Sequence, residues 1–136
     1  MPIKSDVISD CNLFLARATG KVNDTNLVNF QSAIVSVAGF KPTLNFLIDA
    51  RAITENTVSS EGMLNLSADT PFDVTIKRAF VVSDEKTSIL ATLYATTTTD
   101  SEHFYITYNL NDACDWLDVD YEIILASTVY QDSDKL

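Results

Sequence analysis

Two adjacent hydroxyls, Ser59 and Ser60, stand immediately before a helix-forming run. The first turn of a helix leaves backbone N–H groups unpaired and carries the positive end of the helix dipole. A serine there either caps the helix or, once charged, docks or repels a partner surface. Asp49 and Arg51 close an apolar run, Leu44, Asn45, Phe46, Leu47 and Ile48. They are expected on opposite faces of an extended strand, so that one of the two faces a crevice. As structural residues, Asp49 would cap a neighbouring helix and Arg51 would pair with a carboxylate. Ser83 and Asp84 head a further helix and are expected to cap it. His103 is the only histidine. It falls at the start of a strand on the far edge from the crevice, where no nucleophile lies within reach of it as a base. Cys11 and Cys114 have neither a nearby histidine nor CxxC spacing. They fail as a zinc site on ligand count and read as two small buried hydrophobes. With no nucleophile–base pair, metal cluster or phosphate-cradling glycine loop, the chain is expected to be no enzyme and to need no cofactor or metal.

The elements that must position these residues follow from periodicity. Residues 6–8 and 12–19 read as strands of an edge hairpin turning at Ser9 and Asp10, the second ending at Gly20 and Lys21. Asn23 or Asp24 caps a helix whose Leu27, Phe30, Ile34 and Val37 form one apolar stripe, and Gly39 and Pro42 stop it. Residues 44–51 are the organising strand, apolar enough to be buried on both faces. Residues 52–58 read as an irregular connection. The helix opened by Ser59 or Ser60 runs to about Ala68 despite Gly62, which costs about 1 kcal/mol relative to alanine. A glycine at that cost points to close packing or close backbone approach. Residues 77–82 form a strand, followed by a helix with Ile89, Leu90, Leu93 and Tyr94 on one face. That helix frays into Thr96, Thr97, Thr98 and Thr99, because β-branched side chains restrict χ1. Residues 103–108 form a strand. Residues 109–111 cap a last helix whose inner face is Leu110, Ala113, Cys114 and Leu117. Residues 121–130 fit an extra strand or a helix, and their β-branched and aromatic content favours the strand.

The sum is an α/β fold: a mixed, mostly parallel sheet of about five strands with four helices against it and an optional extra C-terminal strand. One domain accounts for the length, with its core over about 7–118 and an extension over 119–136. Apolar residues make up 46% and charged residues 21%, a globular balance. The net charge of −10 repels phosphate backbones and anionic lipid, which argues against nucleic-acid and membrane partners. The N-terminal residues lack the basic-then-apolar order of a secretory signal, and no apolar run is long enough to span a bilayer. The expected location is therefore the cytoplasm.

Four places resemble the SpoIIAA-like family, a branch of the STAS and SEC14-like domains. Gly20, Lys21 and Val22 stand before the first helix. Phe46, Leu47, Ile48, Asp49, Ala50 and Arg51 form an apolar strand end closing on aspartate. Lys77 and Arg78 precede the apolar Ala79, Phe80, Val81 and Val82, then the cap residues Ser83 and Asp84. Ala113, Trp116 and Leu117 match a closing helix. The resemblance covers residues 7–118. It implies a regulatory domain that binds a protein partner and is switched by phosphorylation of a serine at the start of the second helix, here Ser59 or Ser60. Val58 stands where the family pattern has an aspartate, and the loop from Asp49 is longer. The SEC14-like relatives imply instead a carrier or sensor with a pocket for a small apolar or lipid-like ligand between helices and sheet. Ligands of open α/β sheets bind beyond the strands' carboxyl ends. The loops that qualify are 49–60, 83–86 and 109–111. The two-sided apolar pattern of 121–130 further suggests strand pairing with a second copy, a homodimer.

Overall fold

A computed structural model describes residues 2–98 and 101–131. The elements run β1 (Ile3–Ile8), a 3₁₀ turn (Ser9–Cys11), β2 (Leu13–Val22), α1 (Asp24–Ile34), β3 (Asn45–Asn56), α2 (Ser60–Ala68), β4 (Arg78–Val81) and α3 (Glu85–Thr98). A 3₁₀ turn (Ser101–His103), β5 (Phe104–Thr107), α4 (Leu110–Leu117), α5 (Tyr121–Leu125) and a last 3₁₀ turn (Thr128–Tyr130) complete them. The sheet order is β1-β2-β3-β4-β5. β1 pairs antiparallel with β2, and every later pair is parallel. Among the described residues this is the expected mixed sheet of five strands, with five helices instead of four.

Alternation along the central strands divides the core in two. Phe14, Ala16, Phe46 and Phe80 point to the face covered by α1, α2 and α3. Leu13, Leu15, Leu47, Ala79 and Val81 point to the face covered by α4, α5 and the C-terminal turn. The first core is built from aromatic rings. Phe46 stacks on Phe72 with centroids 5.1 Å apart, and Phe80 meets Tyr94 edge-on at 6.0 Å. Such pairs add about 0.5–1.5 kcal/mol beyond the area they bury.

Three expectations about elements are corrected. The stretch 52–58 is an irregular connection only at Thr57 and Val58: β3 continues to Asn56, and β2 continues past Gly20 to Val22 beside it. The pairing survives because two irregularities, one next to Gly20 at φ +72°, absorb the mismatch in register. The threonine-rich end of α3 does not fray before Thr98. Thr96, Thr97 and Thr98 donate their hydroxyls to carbonyls three and four residues back, which satisfies them within the helix. Thr99 lies outside the described residues. Residues 121–130 form α5 and a 3₁₀ turn, not a strand. Asp118 at φ 58° ends α4. Asp120 and Ser127 then accept the N–H groups of Glu122 and Val129, and these caps bend the segment into two turns that bury Ile124 and Val129. Pairing with a second copy through this segment therefore has no strand to use. On α3, Leu90 and Tyr94 face inward as expected, but Ile89 is 58% exposed; Ala91 and Ala95 take the inner positions.

Among the described residues no helix is long and apolar enough to cross a membrane.

Candidate functional site

The first cluster joins the N-termini of α1 and α2. Asn23 caps α1 in a reciprocal pair with Asn26, each side chain accepting the other's backbone N–H at 2.9 Å. Asp24 is thereby left to act outside its own helix. Its Oδ1 accepts the backbone N–H of Ser59 at 2.8 Å, and its Oδ2 accepts the Ser59 hydroxyl at 2.7 Å. Ser59 Oγ accepts in turn from Gly62 N at 2.9 Å, so Ser59 is the N-cap of α2. Gly62 now has its reason. A Cβ there would lie 2.5–2.9 Å from the Asp24 carboxylate. Only glycine lets that carboxylate sit against the first turn of α2, where the helix dipole favours a negative charge. The Ser59 hydroxyl, then its backbone N–H, hold the Asp24 carboxyl below the usual carboxylate range. Ser59 and Ser60 are both exposed. An open groove of about 650 Å³ runs between α1 and α2 beside them. Asp24, Glu61 and Asp69 line it together with Val28 and Val35, which are 56% and 59% exposed.

The second cluster lies on the other face of the sheet. Asp49 and Arg51 do not point to opposite faces, because residues two apart in a strand share one. Arg51 donates from Nε to Asp49 Oδ1 at 3.0 Å and from Nη2 to Oδ2 at 2.8 Å, a bidentate pair. Tyr130 donates its hydroxyl to the same Oδ2 at 2.7 Å, and the Arg17 guanidinium stands 5.1 Å from the Tyr130 ring centroid. Asp49 is 2% exposed. Burial pushes its carboxyl up, but the hydrogen bonds from Arg51 and Tyr130 outweigh that and leave it below the usual range. Asp49 caps no helix; it anchors the C-terminal turn to the sheet. Burial, then the Asp49 charge, push the Tyr130 hydroxyl far above its ordinary value.

A third set lies at the carboxyl ends of β3 and β4. Ser83 does not cap α3. Its hydroxyl donates to the Arg51 carbonyl at 3.3 Å, and Asp84 caps the helix by accepting the Thr87 N–H at 2.7 Å. Asn56 donates to Thr87 Oγ1 at 3.1 Å, and Lys86 Nζ donates to the Asn56 carbonyl. Asn56 and Thr87, with Gln31, are polar residues lining a mostly apolar cavity of about 110 Å³ between the sheet and α1–α3. Its walls include Phe46, Phe72, Phe80, Leu27 and Met63.

The sequence-derived candidates thus do not form one crevice. The sheet separates the Asp49–Arg51 pair from Ser59 and Ser60, and Ser83 meets Arg51 through its backbone carbonyl. Reading the sequence missed Asp24 as a partner of Ser59, for which the costly Gly62 was the one local signal. It missed Tyr130 as the partner of Asp49, because that segment read as a strand. Both cysteines are free thiols, Cys114 buried and Cys11 half-buried. Burial, then the charges of Asp115, Asp120 and Asp49, push the Cys114 thiol up to about 11. Among the described residues no group of three His, Cys, Asp or Glu side chains could hold a metal ion.

No family model matches this chain, and no curated protein does. Among solved structures it is similar to the crystal structure of an uncharacterised protein of the DUF3478 family with a SpoIIAA-like fold, from Shewanella loihica PV-4. The two share 20% identity over 85% of this chain and 91% of the other, with a TM-score of 0.56. The chain therefore has a SpoIIAA-like fold.

Proposed function

We propose that this SpoIIAA-like fold serves as a single, non-enzymatic, cytoplasmic regulatory domain that binds a protein partner over the α1–α2 surface and is set at Ser59. One observation carries the reading: an exposed serine hydroxyl is hydrogen-bonded across two helices to Asp24 at 2.7 Å. Phosphorylation of Ser59 would replace its O–H donor with about −1.5 to −2 charges directly against the Asp24 carboxylate. The contact would then repel, and α1 and α2 would part at the groove. Ser60, exposed on the next position, is the alternative acceptor. Binding to nucleic acid is disfavoured by the net charge of −10.

The apolar cavity supports a second reading, a carrier or sensor for a small apolar or lipid-like ligand. A lone water needs about 10–15 Å³ of such space and two or more polar partners, so a cavity several times larger with nearly all-apolar walls suits an apolar guest better.

Native mass spectrometry of the protein taken from its own cells tests both. The expected result is a phosphate on Ser59 or Ser60 in one fraction, and a protein partner in the other that Ser59→Asp protein no longer holds. An unmodified protein carrying only an extractable organic adduct would overturn the first reading in favour of the second.

A further inference from the structure

The cavity between the sheet and α1–α3 is defined by what its walls lack. Among the described residues that line it, none carries a charge. Its polar side chains are already bonded within the protein. Asn56 donates to Thr87 Oγ1 at 3.1 Å and accepts the Val58 N–H at 3.0 Å. Gln31 Nε2 donates to the Asp69 carbonyl at 3.2 Å, and the Tyr94 hydroxyl donates to Thr70 Oγ1 at 3.0 Å. Among the described residues, no side-chain nitrogen or oxygen of its walls is both buried and unpaired. A charged guest would therefore be buried without a counter-ion, at a cost that no wall residue offsets.

Five of the residues around the cavity are aromatic: Phe30, Phe46, Phe72, Phe80 and Tyr94. Phe46 meets Phe80 edge-on at 6.4 Å, an arrangement that a further ring extends with its own edge or face. Size sets the other limit. A dry cavity of about 150 Å³ lined by aliphatic and phenyl side chains takes benzene. At about 110 Å³ this one has room for a single small ring and not for a long alkyl chain. Gln31 and Leu66 line both this cavity and the open groove between α1 and α2, so the way in runs through the seam between those helices.

From an uncharged, aromatic-walled cavity of this size, we infer that the chain binds a neutral monocyclic arene, one ring of the size of benzene or toluene, between the sheet and α1–α3. This rests on the ligand-binding reading above and narrows it: the guest is a ring without a charged head, not a lipid. A saturated ring of the same size would fit the space but lose the contacts between aromatic edges and faces.

The test titrates the full chain with toluene, methylcyclohexane, benzoate and 1-decanol, in sealed tubes, and follows methyl-labelled methionine by NMR. Met63 lines the cavity and is one of two methionines, so its resonance is assigned by its loss in Met63→Leu. Toluene is expected to shift the Met63 methyl saturably through its ring current. Methylcyclohexane is expected to bind roughly three- to tenfold more weakly, the fold-change of one aromatic pair. Benzoate is expected to be at least about a hundredfold weaker, because its carboxylate would be buried unpaired. Decanol binding more tightly than toluene would overturn the inference and leave the lipid-like carrier reading standing. So would benzoate or methylcyclohexane binding as tightly as toluene. Toluene bound without moving Met63 would overturn it by placing the ring elsewhere. Binding of none of the four would overturn it together with the carrier reading beneath it. Ala91→Leu, which fills the cavity from α3, is expected to lose toluene, and toluene held there at the wild-type affinity would overturn the inference too. Should Ala91→Leu not fold, the titrations of wild-type protein decide.

Discussion

Replacing Tyr130 by phenylalanine isolates the bond that fastens the C-terminal turn to the sheet. The ring stays, and with it the contact to Arg17. What is lost is the 2.7 Å donation to Asp49 Oδ2. A hydrogen bond to a charged group contributes about 1.5–3 kcal/mol, and the carboxylate here is 2% exposed, so water cannot replace the missing donor without opening the turn. Arg51 keeps its two bonds to Asp49 and holds the charge partly satisfied. The lower part of that range is therefore expected, about 1.5–2 kcal/mol at pH 7. The assay is urea unfolding with an unchanged m-value, so that the shift in midpoint reports stability alone. The pH dependence fixes the cause. The Asp49 carboxyl is held below its unfolded value, so its contribution is fully present above about pH 3.9 and is lost as pH falls through the lower folded value. The gap between wild type and Tyr130→Phe should accordingly close in acid, and Asp49→Asn should remove most of it at neutral pH. A gap under about 0.5 kcal/mol at pH 7, the noise of an ordinary surface change, would refute this account. So would a gap that persists undiminished after Asp49 is protonated.

Gly62→Ala should push the Asp24 carboxylate off Ser59 and so gain less than its helix propensity, with a net change of under about 1 kcal/mol; in an Asp24→Ala background the same change should stabilise by up to about 1 kcal/mol, and thermal melts of the four proteins test the difference. Ser59→Ala should cost about 1 kcal/mol in urea unfolding as a lost cap that also bonds Asp24, whereas Ser60→Ala should stay within about 0.5 kcal/mol. Cys114, with its thiol pushed up to about 11, should resist iodoacetamide at pH 8 in the folded protein and react only after denaturant is added; rapid native labelling would contradict its burial.

Local rules carried most of the fold. The apolar run of β3, the serine heading α2 and the inner face of α4 are each set by residues within a few positions and stand where the sequence placed them, as do Leu27, Phe30 and Ile34 of the α1 stripe; Val37 falls beyond the helix, which ends at Ile34. The errors came where a nonlocal partner decided. Residues 52–56 extend as strand because Thr19, Gly20, Lys21 and Val22 lie alongside to take their backbone bonds. Residues 121–130 carry strand-forming side chains, yet Asp120 and Ser127 offer the backbone a nearer acceptor than any edge strand could. The two-sided apolar pattern is buried only in part, at Ile124 and Val129, while Ile123 and Leu125 are 45% and 38% exposed; the caps chose the backbone and with it which side chains turn inward.

The candidate site was legible in its residues and illegible in its pairings, because both decisive contacts join distant parts of the chain. Ser59 meets Asp24 across 35 positions, and Asp49 meets Tyr130 across 81. No periodicity reaches that far. Two signals were nevertheless local. The period of two in a strand puts Asp49 and Arg51 on one face, which makes an ion pair between them the first expectation from spacing alone. Gly62 carries the other. A glycine in the first turns of a helix costs about 1 kcal/mol, and its neighbours Glu61 and Met63 show that side chains are otherwise accommodated there. The missing Cβ makes room for something, and a helix N-terminus is a place that an anion fills. The carboxylate of Asp24 fills it here, which is why a second negative charge on Ser59 would strain that corner first.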